Sequence, residues 1–281
     1  MDVYKIMTNP FLKEYDLFHD RDWAKAVQGP QTNKEIENAL FVLNIVWFKH
    51  SNMFNLPVKF MEAMKSVSDG ILDTKTRGMI HLFRVFKQKL SQYDLTHTKR
   101  NEIIGDLNKI ENDLEEIYRD TSDYLDHEKF FSYMHQLDQM GFGSGLASLI
   151  EQTFCGVYFA YDDFVRRCFW ALGVTPAKRK LYTSSREFAT TLEQQLNDAS
   201  VFKDCWTCDE VKLAKEARSL VAHSSGIYHT DTYTEYGDYY EIDKPHKQIL
   251  IHAAGVRKLY GNLKVRAEKL YKHVLKLKPT I

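Results

Sequence analysis

Arg218 and His223 stand near the end of the run Glu216-Ala217-Arg218-Ser219-Leu220-Val221-Ala222-His223-Ser224-Ser225-Gly226, where a helical pattern meets a stop signal. A guanidinium can hold two oxygens of one oxyanion and stabilise charge that develops on it. An imidazole with an ordinary pKa near ~6.5 can give or take a proton close to neutrality. The pair therefore carries the equipment for proton transfer beside a bound oxyanion. Spacing alone also allows a plainer reading. Five residues on an ideal helix are roughly 140° and 7.5 Å apart, so the two side chains address one cleft only if the helix loosens near His223. Ser224-Ser225-Gly226 offers a place for that. Cations at a helix C-terminus are favoured by the macrodipole in any case, and both readings stand at this point.

The elements that must position these residues are helical. Beyond Gly141-Phe142-Gly143-Ser144-Gly145, the residues Ile150, Phe154, Val157, Tyr158, Tyr161, Phe164, Val165, Cys168, Phe169 and Leu172 follow a three-four repeat that ends at Gly173. Ser184 or Ser185 can open a second helix through Phe188, Leu192 and Leu196. A third, from Asp209, turns Val211, Ala214, Ala217 and Val221 inward and carries Arg218 and His223, with Gly226 as its stop. Thr232 to Tyr236 and Tyr239 to Ile242, joined by Gly237-Asp238, read as a small hairpin. Val256, Leu259, Leu263, Ala267, Leu270 and Val274 then give a last helix.

The first half is helical as well. Thr32 or Asn33 can cap a helix through Ile36, Leu40, Leu43 and Trp47, interrupted at Asn55-Leu56-Pro57. A helix through Phe60 to Val67 is expected to stop near Asp69-Gly70, and another places Met79, Leu82, Phe83, Phe86 and Leu90 on one face. Ile103, Leu107, Ile110, Leu114 and Ile117 form a seam suited to an antiparallel neighbour or to a dimeric coiled coil. Three glycines in the five residues 141–145 mark the expected boundary. The expectation is all-α: a helical N-terminal domain over 1–140, then a four-helix bundle over 146–281 with a small β-hairpin insertion.

Composition fits this. With 281 residues, 44 % hydrophobic and 27 % charged, the chain can bury a sizeable core. The lack of a long apolar stretch and of a charged, then apolar, start points to a cytoplasmic protein that engages no membrane. Cys155 and Cys168 sit in an apolar helical pattern, and Cys205-Trp206-Thr207-Cys208 has no second pair at zinc spacing, so structural thiols are expected, with a redox pair or half a metal site as the alternatives for the latter two. Basic and acidic residues balance at 38 each, yet 99–128 holds ten acidic residues against four basic, and 257–281 holds eight basic against Glu268 alone.

The order of parts resembles the HEPN superfamily, in which a four-helix bundle carries an Arg-x4-to-6-His motif on its third helix. The matching residues here are Arg218-Ser219-Leu220-Val221-Ala222-His223, preceded by the aromatic first helix with Tyr158-Phe159-Ala160-Tyr161-Asp162-Asp163-Phe164-Val165. That helix is similar to the one found in the RNase LS-like and related branches, and the resemblance spans roughly 146–278. Ser219 departs from the amide or acid that commonly follows the arginine.

The resemblance implies a metal-independent endoribonuclease that needs no cofactor, used as a toxin or antiviral defence effector. Its implied catalytic residues are Arg218, His223, Ser219 and Asp162, the last as an acidic partner for Arg218. It also implies a homodimer whose two motifs share one active site, cutting RNA to a 2′,3′-cyclic phosphate and a 5′-hydroxyl. Tyr228 and His229 are candidates to stack on RNA bases, and Lys178, Arg179 and Lys180 to hold its backbone. Diverged members bind nucleotide or protein without catalysis, and a helical scaffold is a third reading. The acidic segment suggests regulation by a protein partner that uncovers the basic tail.

Overall fold

The computed structural model describes residues 15–29, 33–90, 96–113, 142–224, 226–227 and 239–277, without the side chains of 60–76, 142–146 and Ser224. Its described residues are mainly helical, with one two-stranded antiparallel sheet, so the fold is all-α with a small hairpin. None of their helices is long and apolar enough to cross a membrane.

The chain divides into two compact units, one of 1–13 and 57–142, the other of 14–56 and 143–281. In the first unit, α3 (Leu56–Lys89) runs straight through Asp69-Gly70, so the stop expected there does not form. One glycine costs a helix only about 1 kcal/mol against alanine, and a helix of 34 residues carries it. A further helix, α4, covers 97–113. It lies antiparallel to the end of α3, because Arg84 meets Glu111 while Lys87 meets both Glu111 and Asn108. Leu90 and Leu107 are buried, but Leu82, Phe86 and Ile110 remain exposed. Leu114, Ile117 and the acidic stretch 114–128 lie outside the described residues.

The second unit contains α1 (Trp23–Val27), α2 (Lys34–Phe54), α5 (Phe142–Ala171), α6 (Arg186–Leu196), α7 (Ala199–Phe202), α8 (Asp209–Ser224), β1 (Tyr240–Asp243), β2 (Gln248–Ile251) and α9 (Ala253–Leu277). Gly143 and Gly145 fall in the first turn of α5, so the expected break is helical, although the unit boundary does lie there. The expected repeats of α5, α6 and α9 are the buried ones: Phe154, Val157, Phe169, Phe188, Val256, Leu259, Ala267 and Val274 are all fully enclosed. Asn33 caps α2 by accepting from the amides of Glu35 and Ile36, and Ser185 caps α6 by accepting from Phe188.

Residues 14–56 belong to the same compact unit as the C-terminal bundle. The physical reason is the apolar stripe of α2. Ile36, Leu40, Leu43 and Trp47 are 0–1 % exposed, and the Trp47 indole N–H donates to the Val157 carbonyl of α5 at 3.0 Å. The bundle therefore has a fifth long helix, which an amphipathic pattern can announce without naming its partner.

Above α2 lies a buried polar cluster. Ser51 Oγ accepts from the Phe18 and His19 amides, and His19 Nε2 lies 2.8 Å from Asn44 Oδ1. Asn44 Nδ2 donates to the Arg21 carbonyl, so Oδ1 is the atom that faces His19 and can only accept. Nε2 must therefore carry the proton, and Nδ1 accepts from the Tyr260 hydroxyl at 2.7 Å. Burial holds the His19 pKa below its ordinary value, against a smaller opposing effect of the Asn44 hydrogen bond. The unfolded chain then binds a proton at a higher pH than the folded one, so stability is complete above ~6.5 and falls as pH drops through that value. His50, also lowered by burial, acts in the same direction. Urea unfolding at pH 7.5 and 5.5 should show a smaller loss of stability in His19→Gln than in wild type, whereas equal losses would remove His19 as a source.

The described hairpin shares the expected strand 239–242, but its partner strand lies after it in the chain; the expected first strand and the Gly237-Asp238 turn lie outside the described residues. Its strands are 240–243 and 248–251, paired Tyr240 with Ile251 and Asp243 with Gln248 around a turn at 244–247. Asp243 accepts from the His246 amide and pairs with its ring, and Lys247 adopts the left-handed conformation at φ 52°. Tyr233, Tyr236 and the rest of 228–238 lie outside the described residues.

Candidate functional site

Arg218 and His223 both lie on α8, the third helix of the bundle if α5 is counted first and the short α7 is left out. The helix does not loosen at His223. It continues to Ser224 and closes through Gly226, at φ 79°, whose amide donates to the Leu220 carbonyl at 3.1 Å. The Gly226 carbonyl in turn accepts from Ile249, so β2 is tied to the end of α8. On an unbroken helix the two side chains diverge by roughly 140°. The loosening that would let both side chains of one chain address a single cleft is therefore not seen.

Arg218 is half-buried, and its guanidinium carbon sits 3.7 Å from the centre of the Phe159 ring on α5. Phe159 stays 43 % exposed. Stacking of this kind contributes about 0.5–2 kcal/mol and holds the guanidinium plane in place. Arg218 Nε is buried with no hydrogen-bond partner, and no carboxylate among the described residues pairs with the group. Ser219 and His223 are exposed. Cys155 packs beneath, its Sγ 4.0 Å from the Arg218 carbonyl, with burial pushing its pKa up to about 11.

Asp162 does not pair with Arg218. Its Oδ2 accepts from Thr183 Oγ1 at 3.0 Å, and no ion pair joins it to the arginine. Burial raises its pKa, opposed first by the Thr183 hydrogen bond and then by the charges of Lys215, Arg166 and Arg218. The side chain leans toward the loop before α6, where a hydroxyl meets it first. Its neighbour Asp163 takes the ion pairs of α5, with Arg166 and Arg167.

Lys178, Arg179 and Lys180 form a single 3-10 turn, with Arg179 and Lys180 exposed and Lys178 half-buried. Tyr228 and His229 lie outside the described residues. The thiols are free. Cys205 donates to the Arg266 carbonyl and is pushed by burial up to about 12, far from a reactive thiolate. Arg266 braces this region, reaching Cys208 Sγ, the carbonyls of Asp204 and Asn262, and Glu210. Among the described residues no group of three or more His, Cys, Asp or Glu side chains could hold a metal ion.

Two features escaped the sequence reading. Phe159 lies off the apolar repeat of α5, and an aromatic residue at an outward position was the available sign. The second is a pocket of about 270 Å³ lined by Tyr158, Thr183, Arg186, Trp206, Lys212 and Lys215, among others. Its sign was the ladder Lys212, Lys215, Arg218 at three-residue spacing along one helix. No family model, curated protein or solved structure matches this chain.

Proposed function

We propose that the chain is a metal-independent endoribonuclease of HEPN type that acts as a homodimer. The observation that carries the reading is Arg218, fixed on an exposed aromatic ring with no ion-pair partner among the described residues, on the same helix as an exposed imidazole. A cation prepared in this way is suited to an external oxyanion such as a phosphodiester.

Because α8 is unbroken to Ser224, the two groups of one chain diverge, and the reaction calls for a second copy to bring an imidazole to the other side of the phosphate. One His223 takes the proton of the ribose 2′-hydroxyl as its oxygen attacks the adjacent phosphorus. The bond from phosphorus to the 5′-oxygen breaks, and the partner's His223 protonates that oxygen. Arg218 holds the non-bridging oxygens as charge grows on them, and the exposed Ser219 hydroxyl can donate to the same group. The products are a 2′,3′-cyclic phosphate and a 5′-hydroxyl.

A non-catalytic binding module is the second reading, favoured by Asp162, whose hydrogen bond is spent on Thr183 and not on orienting Arg218. Substrate chemistry separates the two. An RNA oligomer incubated with the protein in EDTA should be cut to cyclic-phosphate ends, and the same oligomer with 2′-deoxyribose throughout should stay intact. Binding without cutting of the ribose oligomer favours the second reading, and cutting of the deoxy oligomer rules out 2′-hydroxyl attack.

A further inference from the structure

We propose that the pocket between the start of α6 and the first half of α8 binds a terminal phosphate, the dianion of a phosphate monoester, at a site distinct from Arg218 and His223. Three cations border its roughly 270 Å³: Arg186 at the first turn of α6, and Lys212 and Lys215 on successive turns of α8. Their positive charge is little compensated. Among the described residues the ion-pair partner of Lys212 is Asp209, 3.8 Å away at an exposed position, and Lys215 and Arg186 have none. Lys215 Nζ instead lies 5.8 Å from the centre of the Trp206 ring, which also lines the pocket.

The donors are of the kind a phosphate uses. Thr183, Ser184 and Thr207 bring hydroxyls to the lining. The eleven-residue α6 begins there, and its cap Ser185 satisfies the amide of Phe188, which leaves those of Arg186 and Glu187 without an intrahelical acceptor. An independent sign comes from Tyr158. It is 2 % exposed and part of the lining, yet its buried hydroxyl has no hydrogen-bond partner. An unpaired buried hydroxyl is costly, and an anion in the pocket would supply its acceptor.

Charge and size decide the ligand class. Asp162, bound to Thr183 at the edge of the pocket, is the nearby carboxylate that opposes an anion, and burial already disfavours its charged form. The volume lies just under the ~300–1,000 Å³ of drug-sized sites. That suits a phosphate with a compact organic group. A monoester presents three free oxygens and nearly two charges to three cations, whereas the internal phosphodiester of RNA presents two oxygens and one charge.

The test is calorimetric titration of the full chain at fixed ionic strength with inorganic phosphate, methyl phosphate and dimethyl phosphate. Phosphate and methyl phosphate should bind at one saturable site, and dimethyl phosphate at least about ten-fold more weakly. Lys215→Met, which keeps its stem against Trp206, and Arg186→Gln should each weaken phosphate about ten-fold, the scale of one charge-assisted hydrogen bond. Asp162→Asn should tighten it. Lys25→Ala, at an exposed position far along the chain, should leave it unchanged. Circular dichroism and the thermal midpoint establish that each variant is folded. Absence of saturable binding, equal binding of dimethyl phosphate, or equal weakening in Lys25→Ala would overturn the assignment.

Discussion

Gly255→Ala is expected to lower the stability of the second unit by about 3 kcal/mol, the upper end of what overpacking a close-packed site costs. A Cβ built on Gly255 would lie 2.1 Å from the Tyr239 carbonyl oxygen and 2.7 Å from its carbon. Both are backbone atoms, so no rotamer change relieves the clash. Tyr239 is held from its other end as well, since its hydroxyl accepts from Asn262 Nδ2 at 2.7 Å, and its ring packs edge-on to Phe154. The Gly255 amide itself donates to His252 Nδ1, which caps α9. A methyl group there must part Tyr239, the residue just before β1, from the start of the last helix. The control is Gly261→Ala, where an added Cβ meets nothing within 4 Å. That substitution should raise stability by a few tenths of a kcal/mol through helix propensity. Urea denaturation of both variants reads the difference, and equal midpoints would contradict the packing described here.

His223→Ala is expected to reduce RNA cleavage by about 10²–10⁴-fold, the range general acid–base catalysis supplies. Arg218→Ala should cost about 10²–10³-fold, as loss of a charge placed for the transition state does. Stability should separate the two. His223 is exposed, so its removal should leave unfolding within about ±0.5 kcal/mol. Arg218 covers Phe159, so its removal should also cost up to about 1 kcal/mol of folding. Arg218→Lys keeps the charge but loses the planar fork, and should recover less activity than stability.

How far the sequence reached can be seen residue by residue. The repeats of α5 and α9 were legible because nearly every apolar position in them is buried, so pattern and packing agree. Caps were legible too: Asn33, Ser185 and Gly226 stand where side-chain oxygens or a positive φ require them. Asp69-Gly70 and the glycines 143 and 145 misled because a local cost near 1 kcal/mol each is easily outweighed along helices of 34 and 30 residues. The turn at Lys244-Pro245-His246-Lys247 was not legible because it is a weaker local signal than Gly237-Asp238 and is closed by the side chain of Asp243, which lies outside the turn itself. In the candidate site, Arg218, Ser219 and His223 were visible as residues on a helix. What they touch was not: the Phe159 stack and the Thr183 bond to Asp162 depend on how α5 meets its neighbours, which periodicity does not encode.

The central claim is a metal-free cut made by Arg218 and His223. Its most direct measurement compares wild type with the Arg218→Ala and His223→Ala variants on mixed RNA in EDTA. Cleavage by wild type alone, with both variants folded and at least about 10²-fold slower, is the predicted result. Cleavage that persists in both variants, or that appears only when a divalent metal is added, would contradict it.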